Sequence, residues 1–438
     1  MANPIPNLFR IPELKSKILF TLLALLIYRV GAHITAPGVD VGALREQFGQ
    51  LQGTLFGVYD MFVGGALSRA TVLSLGIMPY ISASIMFQLL AAVIPTIEKL
   101  QKDEEGRKKL TQWTRYATVG LAFVQAWGYA VFLQNPAWGA VQNPGFAFLL
   151  STALVLTTGA IFVMWLGEQI TERGIGNGAS LLIFFSIIEG FPGAIGRTIE
   201  ALTTEVISFF QVVLLLIVMV AVVAGVVAMT MAARKIPVQI PRKVMGRGRI
   251  REGQKSFIPL RINSAGVMPI IFAQSLIIVP GTVATFSNVS ILQGIADALQ
   301  PGSWWYYISY SVLILFFTYF YTAIIFNPVD LAENLKKQGG FIPGVKPGAK
   351  TAEYIDYVLS RVTLPGAIYL AVIALLPFLL FDLFGVQNLF FFGGTSLLIV
   401  VGVALDTVQQ VQQHMLLRHY EGFMKKGRVR FRGRQRYM

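Results

Sequence analysis

The chain has 438 residues, 55% of them apolar and only 13% charged, with a net charge of +14 and no cysteine. Ordinary soluble domains are about a quarter charged, so this composition excludes that class, and the lack of cysteine excludes a disulfide framework and thiolate chemistry. Runs of roughly 18 or more apolar residues recur, the length a helix needs to cross a hydrocarbon core of about 30 Å, so the chain reads as a polytopic helical membrane protein.

Ten spans are predicted, at 18–35, 71–94, 115–134, 147–167, 179–195, 206–231, 264–284, 303–326, 363–384 and 387–405. The N-terminal stretch MANPIPNLFRIPELKSKILF lacks the small-residue site at which a secretory leader is cut, so the first span is expected to be retained. Its Arg29 is the deepest basic residue, for which a structural partner is expected. Before the second span lies VYDMFVGGALSRATVLSLGIMPYI, apolar but broken by Gly64-Gly65 and carrying Asp60 and Arg69. Each glycine costs a helix about 1 kcal/mol against alanine, so the piece preceding Arg69 is predicted to be only marginally held.

With ten spans both termini share a side. All but four of the 36 Lys and Arg fall on that side, the exceptions being Arg29, Arg45, Arg69 and Arg197. The positive-inside rule then predicts that both termini are cytoplasmic. Two long cytoplasmic connections stand out, at about 233–262 and 327–362. The first holds nine basic residues from Arg234 to Arg261 against one acid, Glu252. Orientation alone needs fewer charges, and loops this long are usually functional or disordered. Alternation in VQIPRKVMGRGRI predicts a protruding hairpin that presents charge to a large partner. The tail, 411–438, is so densely charged that order is not expected there.

An internal repeat is present. GIMPYI at Gly76–Ile81 returns as GVMPII at Gly266–Ile271, and GASLLI at Gly178–Ile183 returns as GTSLLI at Gly394–Ile399. The matches fall at spans 2 and 5, then 7 and 10. Five spans per half is an odd number, so the second half is inverted. Inverted repeats place their working site between the halves on interrupted helices, and Pro79 and Pro269 are each expected to remove a helix hydrogen bond. The connection between halves is predicted near Gly196–Glu205.

No GxxxxGK[ST] loop is present, which excludes a nucleotide site of that kind. GIGNG at Gly174–Gly178 joins two spans and reads as a tight turn. No metal-ligand spacing, cofactor motif or catalytic constellation appears, and no enzyme activity is expected. Acids fall near span ends or in loops, as with Glu168, Glu172, Glu189, Asp382 and Asp406, whereas an ion-coupled transporter keeps ionisable groups deep in the membrane. Small and amide side chains instead line the repeat-related spans: Ser82, Ser84 and Gln88, then Ser264, Gln274 and Ser275. They are either glue between helices or a wet path. Ile81 and Ile85 share a helix face. Ile271 corresponds to Ile81 by repeat, and Ile399 to Ile183. Such isoleucines can form a constriction that seals by dewetting.

At these residues the chain resembles the SecY family of protein-conducting channels. The matching segments are GGALSRATVLSLGIMPYISAS, NPGFAF, MWLGEQITERGIGNGASLLIF, NSAGVMP, FYTAIIFNP, NLKKQGGFIPGVKPG and FFGGTSLLIVV, spread over essentially the whole chain. The resemblance implies an all-α fold of two inverted five-helix halves around an hourglass pore. It puts the N-terminal half at 1–200 and the C-terminal half at 201–410, before the basic tail. It also implies passage of unfolded, signal-bearing polypeptides across the bacterial plasma (inner) membrane, with lateral release of apolar helices into the lipid bilayer. Implied partners are the membrane subunits SecE and SecG, the ATPase SecA, and the ribosome.

By matching motif, the pore ring falls on Ile81, Ile85, Ile187, Ile271 and Ile399. The repeat points to Ile183 where the family pattern prefers Ile187, one turn further. The plug falls on about 59–70, including Asp60, Met61, Phe62, Val63, Gly64, Gly65, Leu67 and Arg69, with Thr71 onward expected as a gate helix. The lateral gate between spans 2–3 and 7–8 takes in Ser84, Gln88, Gln125, Gln274 and Ser275. Docking of SecA or the ribosome is expected on Arg242, Lys243, Arg247, Arg249, Arg251, Lys255, Lys336, Lys337, Lys346 and Arg361. Two rival readings remain. A secondary transporter of small solutes would need a buried coupling site. A scaffold that only binds ribosomes would need the basic loops but not the repeated helices.

Overall fold

The computed structural model describes residues 11–50, 54–136, 139–239, 244–245, 249–250, 255–285, 294, 298–384 and 394–426. The N-terminal half contains α1 (Pro12–Gly31), α2 (Val41–Gln50), α3 (Leu55–Phe62), α4 (Met78–Val93), α5 (Pro95–Lys102), α6 (Glu104–Leu133), α7 (Phe146–Arg173) and α8 (Gly178–Thr203). After it come α9 (Phe209–Met231), β1 (Ala233–Gln239), β2 (Val244–Met245), β3 (Arg249–Ile250) and β4 (Lys255–Arg261). The chain continues with α10 (Met268–Thr285), α11 (Trp304–Ile325), α12 (Pro328–Lys337), α13 (Ala349–Phe384) and α14 (Gly394–Lys426).

The helices α1, α4, α6, α7, α8, α9, α10, α11, α13 and α14 follow the ten predicted spans in order. Seven described helices are long and apolar enough to cross a membrane, or eight if the pair α4 and α5, bent by 110°, is one span. Charges on Glu13, Lys15, Lys17 and Arg29 keep α1 out of that count. In α10 the apolar stretch Met268–Ile278 is short.

Packing repeats as the sequence does. In the first half α4 packs on α6, α6 on α7 and α7 on α8, while α1 covers α7 and α8. In the second half α10 packs on α11, α11 on α13 and α13 on α14, while α9 covers α13 and α14. The halves meet where α10 touches α3, α4 and α6, and where α14 touches α8. The repeat glycines mark equivalent backbone positions. Gly178 and Gly394 open α8 and α14. Gly76 (φ +53°) and Gly266 (φ +64°) take the left-handed conformation just before α4 and α10, a region costly for side chains with a Cβ.

Several boundaries differ from expectation. Thr71–Ile77 forms turns, and α4 begins only at Met78. Pro79 therefore sits in the first turn of α4, and Pro269 is the second residue of α10. Their missing N–H groups would be unpaired there in any case, so neither proline breaks a helix. The left-handed glycines upstream make the interruption instead. The apolar helix before the glycine pair is Leu55–Phe62, and the rest of 59–70 is turn. At the middle of the chain α8 runs to Thr203, beyond the expected division at 200, and the reversal falls between Thr204 and the N-cap Ser208. Glu189 lies within α8, not near its end. Finally, α14 continues to Lys426, so the tail is helical over 411–426; 427–438 lies outside the described residues.

The turn Thr71–Ile77 lies flat on α7 because Gly159 has no side chain. A Cβ there would overlap the carbonyl oxygen of Val72. We expect Gly159→Leu to cost about 1–3 kcal/mol, as overpacking of a closed interface does, read as a lowered thermal midpoint in detergent. An unchanged midpoint would show that this contact yields freely.

On the basic side, β1 and β4 pair antiparallel in register from Ala233↔Arg261 to Gln239↔Lys255, and within the stretch predicted as a hairpin β2 pairs with β3. The β1–β4 pair is not free-standing. Gln239 and Phe341 exchange backbone hydrogen bonds of 2.9 Å. Ile236, Val238 and Leu260 pack with Ile342, Ile355, Val358 and Leu359. The two long loops are thus one body with its own core.

Candidate channel and its seal

On the basic side, two adjoining cavities of about 300 Å³ and about 400 Å³ share Asn177, Ser180, Met268 and Tyr321. The first is walled by Ser84, Gln88, Thr111, Arg115, Glu168 and Glu172, and ends on Ile81, Ile183 and Ile271. The second takes in Arg261, Asn263, Asp406 and Gln410. Together they make a polar vestibule leading to isoleucine. Arg115 Nη2 holds Glu168 Oε2 at 2.9 Å across α6 and α7, so part of the vestibule charge is neutralised in the wall.

Ile85, Ile187 and Ile399 are buried with Ile81, Ile183 and Ile271 in the central apolar cluster. Ile187 and Ile399 are wholly enclosed. Ile183 reaches the cavity wall and Ile187 lies one turn further along α8. Both positions that compete in the sequence are therefore stacked on one helix line.

Beyond this layer lies α3, wedged between the halves against α8 and α10. Met61, Phe62, Val63 and Leu67 are all buried in the same cluster. Polar contacts tie the following turn down. Ser68 N–H donates to Asp60 Oδ1 at 2.9 Å. Tyr129 O–H donates to the Leu67 carbonyl at 2.6 Å, and Tyr59 O–H to the Leu75 carbonyl at 2.9 Å. Burial pushes the Asp60 carboxyl above the usual carboxylate range, against the opposing pull of the Ser68 hydrogen bonds.

A third cavity, of about 340 Å³, opens on the far side of α3. It is lined by Asp60, Met61, Gly64, Gly65, Ser68, Arg69 and Glu189 together with Arg45 and Arg197. Arg29 forms an ion pair with Glu189, the structural partner expected of it, and Arg69 Nη2 is 3.5 Å from the same carboxylate. Three of the four basic residues set apart by the charge count, Arg45, Arg69 and Arg197, thus line one cavity, and Arg29 joins them through Glu189.

The five lateral-gate positions divide. Ser84 and Gln88 face the vestibule, hydrogen-bonded to each other at 3.1 Å. Gln125, Gln274 and Ser275 are buried, and Ser275 O–H donates to Met78 Sδ at 3.8 Å across α10 and α4. Gln125 Oε1 finds no hydrogen-bond partner among the described residues, while Gln274 interacts with the buried Tyr306 hydroxyl.

Of the docking positions, Lys336, Lys337, Lys346 and Arg361 are exposed on the loop body. The Arg361 guanidinium lies 4.4 Å from the ring centre of Tyr357. Arg242, Lys243, Arg247 and Arg251 fall outside the described residues, while Arg249 and Lys255 lie on β3 and β4. Among the described residues no group of His, Cys, Asp and Glu could hold a metal ion.

Cavities on both sides of an apolar layer and a wedged short helix, all between two inverted helical halves, define a channel of the membrane. The SecY family pattern matches residues 71–408. The protein translocase subunit SecY of Aquifex aeolicus is 44% identical over 432 residues, covering 97% of this chain and 100% of that one. Two solved structures cover 98% of this chain and the whole of theirs. One is of a protein-conducting channel (TM-score 0.67, 18% identity). The other shows a SecY whose plug domain stabilises the closed state of the translocation channel and maintains a membrane seal (TM-score 0.66, 19% identity). The chain belongs to the SecY family.

Sequence reasoning missed two features. Glu189 passed for an acid near a span end because the fifth span was predicted to stop at 195; α8 runs on to Thr203 with Pro192 within it. The junction of the two cytoplasmic loops through Gln239 and Phe341 has no sequence signal, since it pairs backbone atoms about a hundred residues apart.

Proposed function

We propose that this protein is the passive channel through which unfolded, signal-bearing polypeptides cross the bacterial plasma membrane. The observation that carries the reading is the seal itself: polar cavities on both sides, with isoleucine and α3 between them. An apolar ring excludes water without recognising a side-chain sequence, which suits a path for many passengers. The segment 59–70, with the part of α3 that it contains, is the plug. Ile81, Ile85, Ile187, Ile271 and Ile399 form the ring. The α4–α10 contact, flanked by α6, is the lateral gate, where the unpaired amide oxygen of Gln125 on α6 lowers the cost of separating the helices.

Both termini and the loop body face the cytoplasm, as the charge asymmetry supports. That body docks SecA or the translating ribosome, which supply the energy. SecE and SecG brace the assembly in the bilayer. The test is reconstitution with SecE, SecA, ATP and a radiolabelled preprotein. We expect the preprotein to become protease-protected in an ATP-dependent way. Saturable uptake of a small solute with no preprotein protection would favour the transporter reading instead.

A further inference from the structure

The ion cluster on the far side of the seal is shared between moving and fixed parts. Glu189 projects from α8 with its side chain only 9% exposed, and it faces two arginines. Arg29 belongs to the last turn of α1. Arg69 follows the glycine turn of the plug, and its Nη1 lies 3.0 Å from His33 Nε2. His33 Nδ1 is in turn 3.0 Å from the Arg29 carbonyl oxygen.

The glycine pair makes the approach possible. Gly64 and Gly65 have φ of +68° and +72°. A Cβ on Gly64 would lie 3.2 Å from the Ser186 backbone and 3.1 Å from Glu189 Oε2. One on Gly65 would lie 3.1 Å from Arg69 Nη2. The turn that marks the plug as weakly helical is therefore also the turn that lets Arg69 reach α8.

We propose that Glu189 is a positioning residue that seats the plug through Arg69 and so sets how readily the resting channel opens. This rests on the reading of 59–70 as the plug. Glu189 suits the task because it has a second cation. A lone buried carboxylate left behind by a departing arginine carries a large penalty. Here Arg29, fixed on α1, keeps Glu189 neutralised when Arg69 leaves. The contact holds the plug but does not trap it.

The test measures ion conductance of the resting channel in planar bilayers for Glu189→Gln, Arg69→Gln and the double variant, and for the channel lacking residues 59–70 with and without Glu189→Gln. One charge-assisted contact corresponds to a shift of about tenfold in population. We expect each single variant to raise resting conductance about tenfold, and the double variant to match the larger single effect. Without 59–70, Glu189→Gln should add nothing to the leak. If the deletion leaks but Glu189→Gln and Arg69→Gln behave as the unaltered protein, the seating role is overturned and the plug stands. If the deletion itself does not leak, the plug reading falls and the seating role with it. A leak from Glu189→Gln that persists equally in the deletion background would mean that Glu189 supports the fold, which also overturns the proposal.

Discussion

Replacing Ile81 and Ile271 together by Asn opens the resting channel to ions, with a rise in conductance expected at tenfold or more. Both side chains end the vestibule and are almost fully buried, at 5% and 1% exposed. Burial of one such side chain contributes about 1.5–3 kcal/mol, and each 1.4 kcal/mol is about tenfold in an equilibrium. Asn in both places replaces that term with groups that prefer water, so wetting of the constriction becomes favourable. If 59–70 is a second barrier as proposed, the leak should grow further when that segment is also removed. Single-channel recording checks both steps. Wild-type conductance from the double variant would remove these two residues from the ring.

Arg361→Glu should abolish SecA-driven transport while leaving the membrane core intact. Arg361 is exposed on α13, held over Tyr357, at a surface built from both loops. A charged group at such a contact is worth about 1.5–3 kcal/mol, and reversal adds repulsion to that loss. We expect SecA affinity to fall by about a hundredfold, with the thermal midpoint unchanged because the side chain packs on the surface. Arg361→Lys should fall between the two, since lysine keeps the charge but loses the planar stack. Full preprotein protection by the Arg361→Glu channel would refute the docking role.

Much of this fold is legible in the sequence because the membrane enforces it. Backbone groups in hydrocarbon must pair within their own segment, so each apolar run of sufficient length becomes a helix, and all ten predicted runs have a helix in order. The repeat was visible because Gly76, Gly266, Gly178 and Gly394 hold backbone positions that recur in both halves. The glycine pair at 64–65 pointed to a break in the helix, and α3 ends at Phe62 just before it.

What lay beyond the sequence was decided by contacts between distant residues. Nothing near Thr71 announces that the six residues after it are turns. They escape the helix because α7 offers Gly159 as a flat seat for Val72 and because Gly76 reverses the chain. Nothing near Glu189 names Arg29 and Arg69 as its partners, since 160 and 120 residues separate them in the chain. The sequence by itself determined the class, the ten helices, the inverted halves and the side that carries the charge, since helix length, glycine placement and lysine and arginine counts act locally. Only the tertiary structure decided that the four isolated arginines converge on Glu189 and the cavity beside it, that the two basic loops form a single body, and that Ile183 and Ile187 stack on one line toward the seal. Those follow from how helices fill space against one another, and no local preference encodes it.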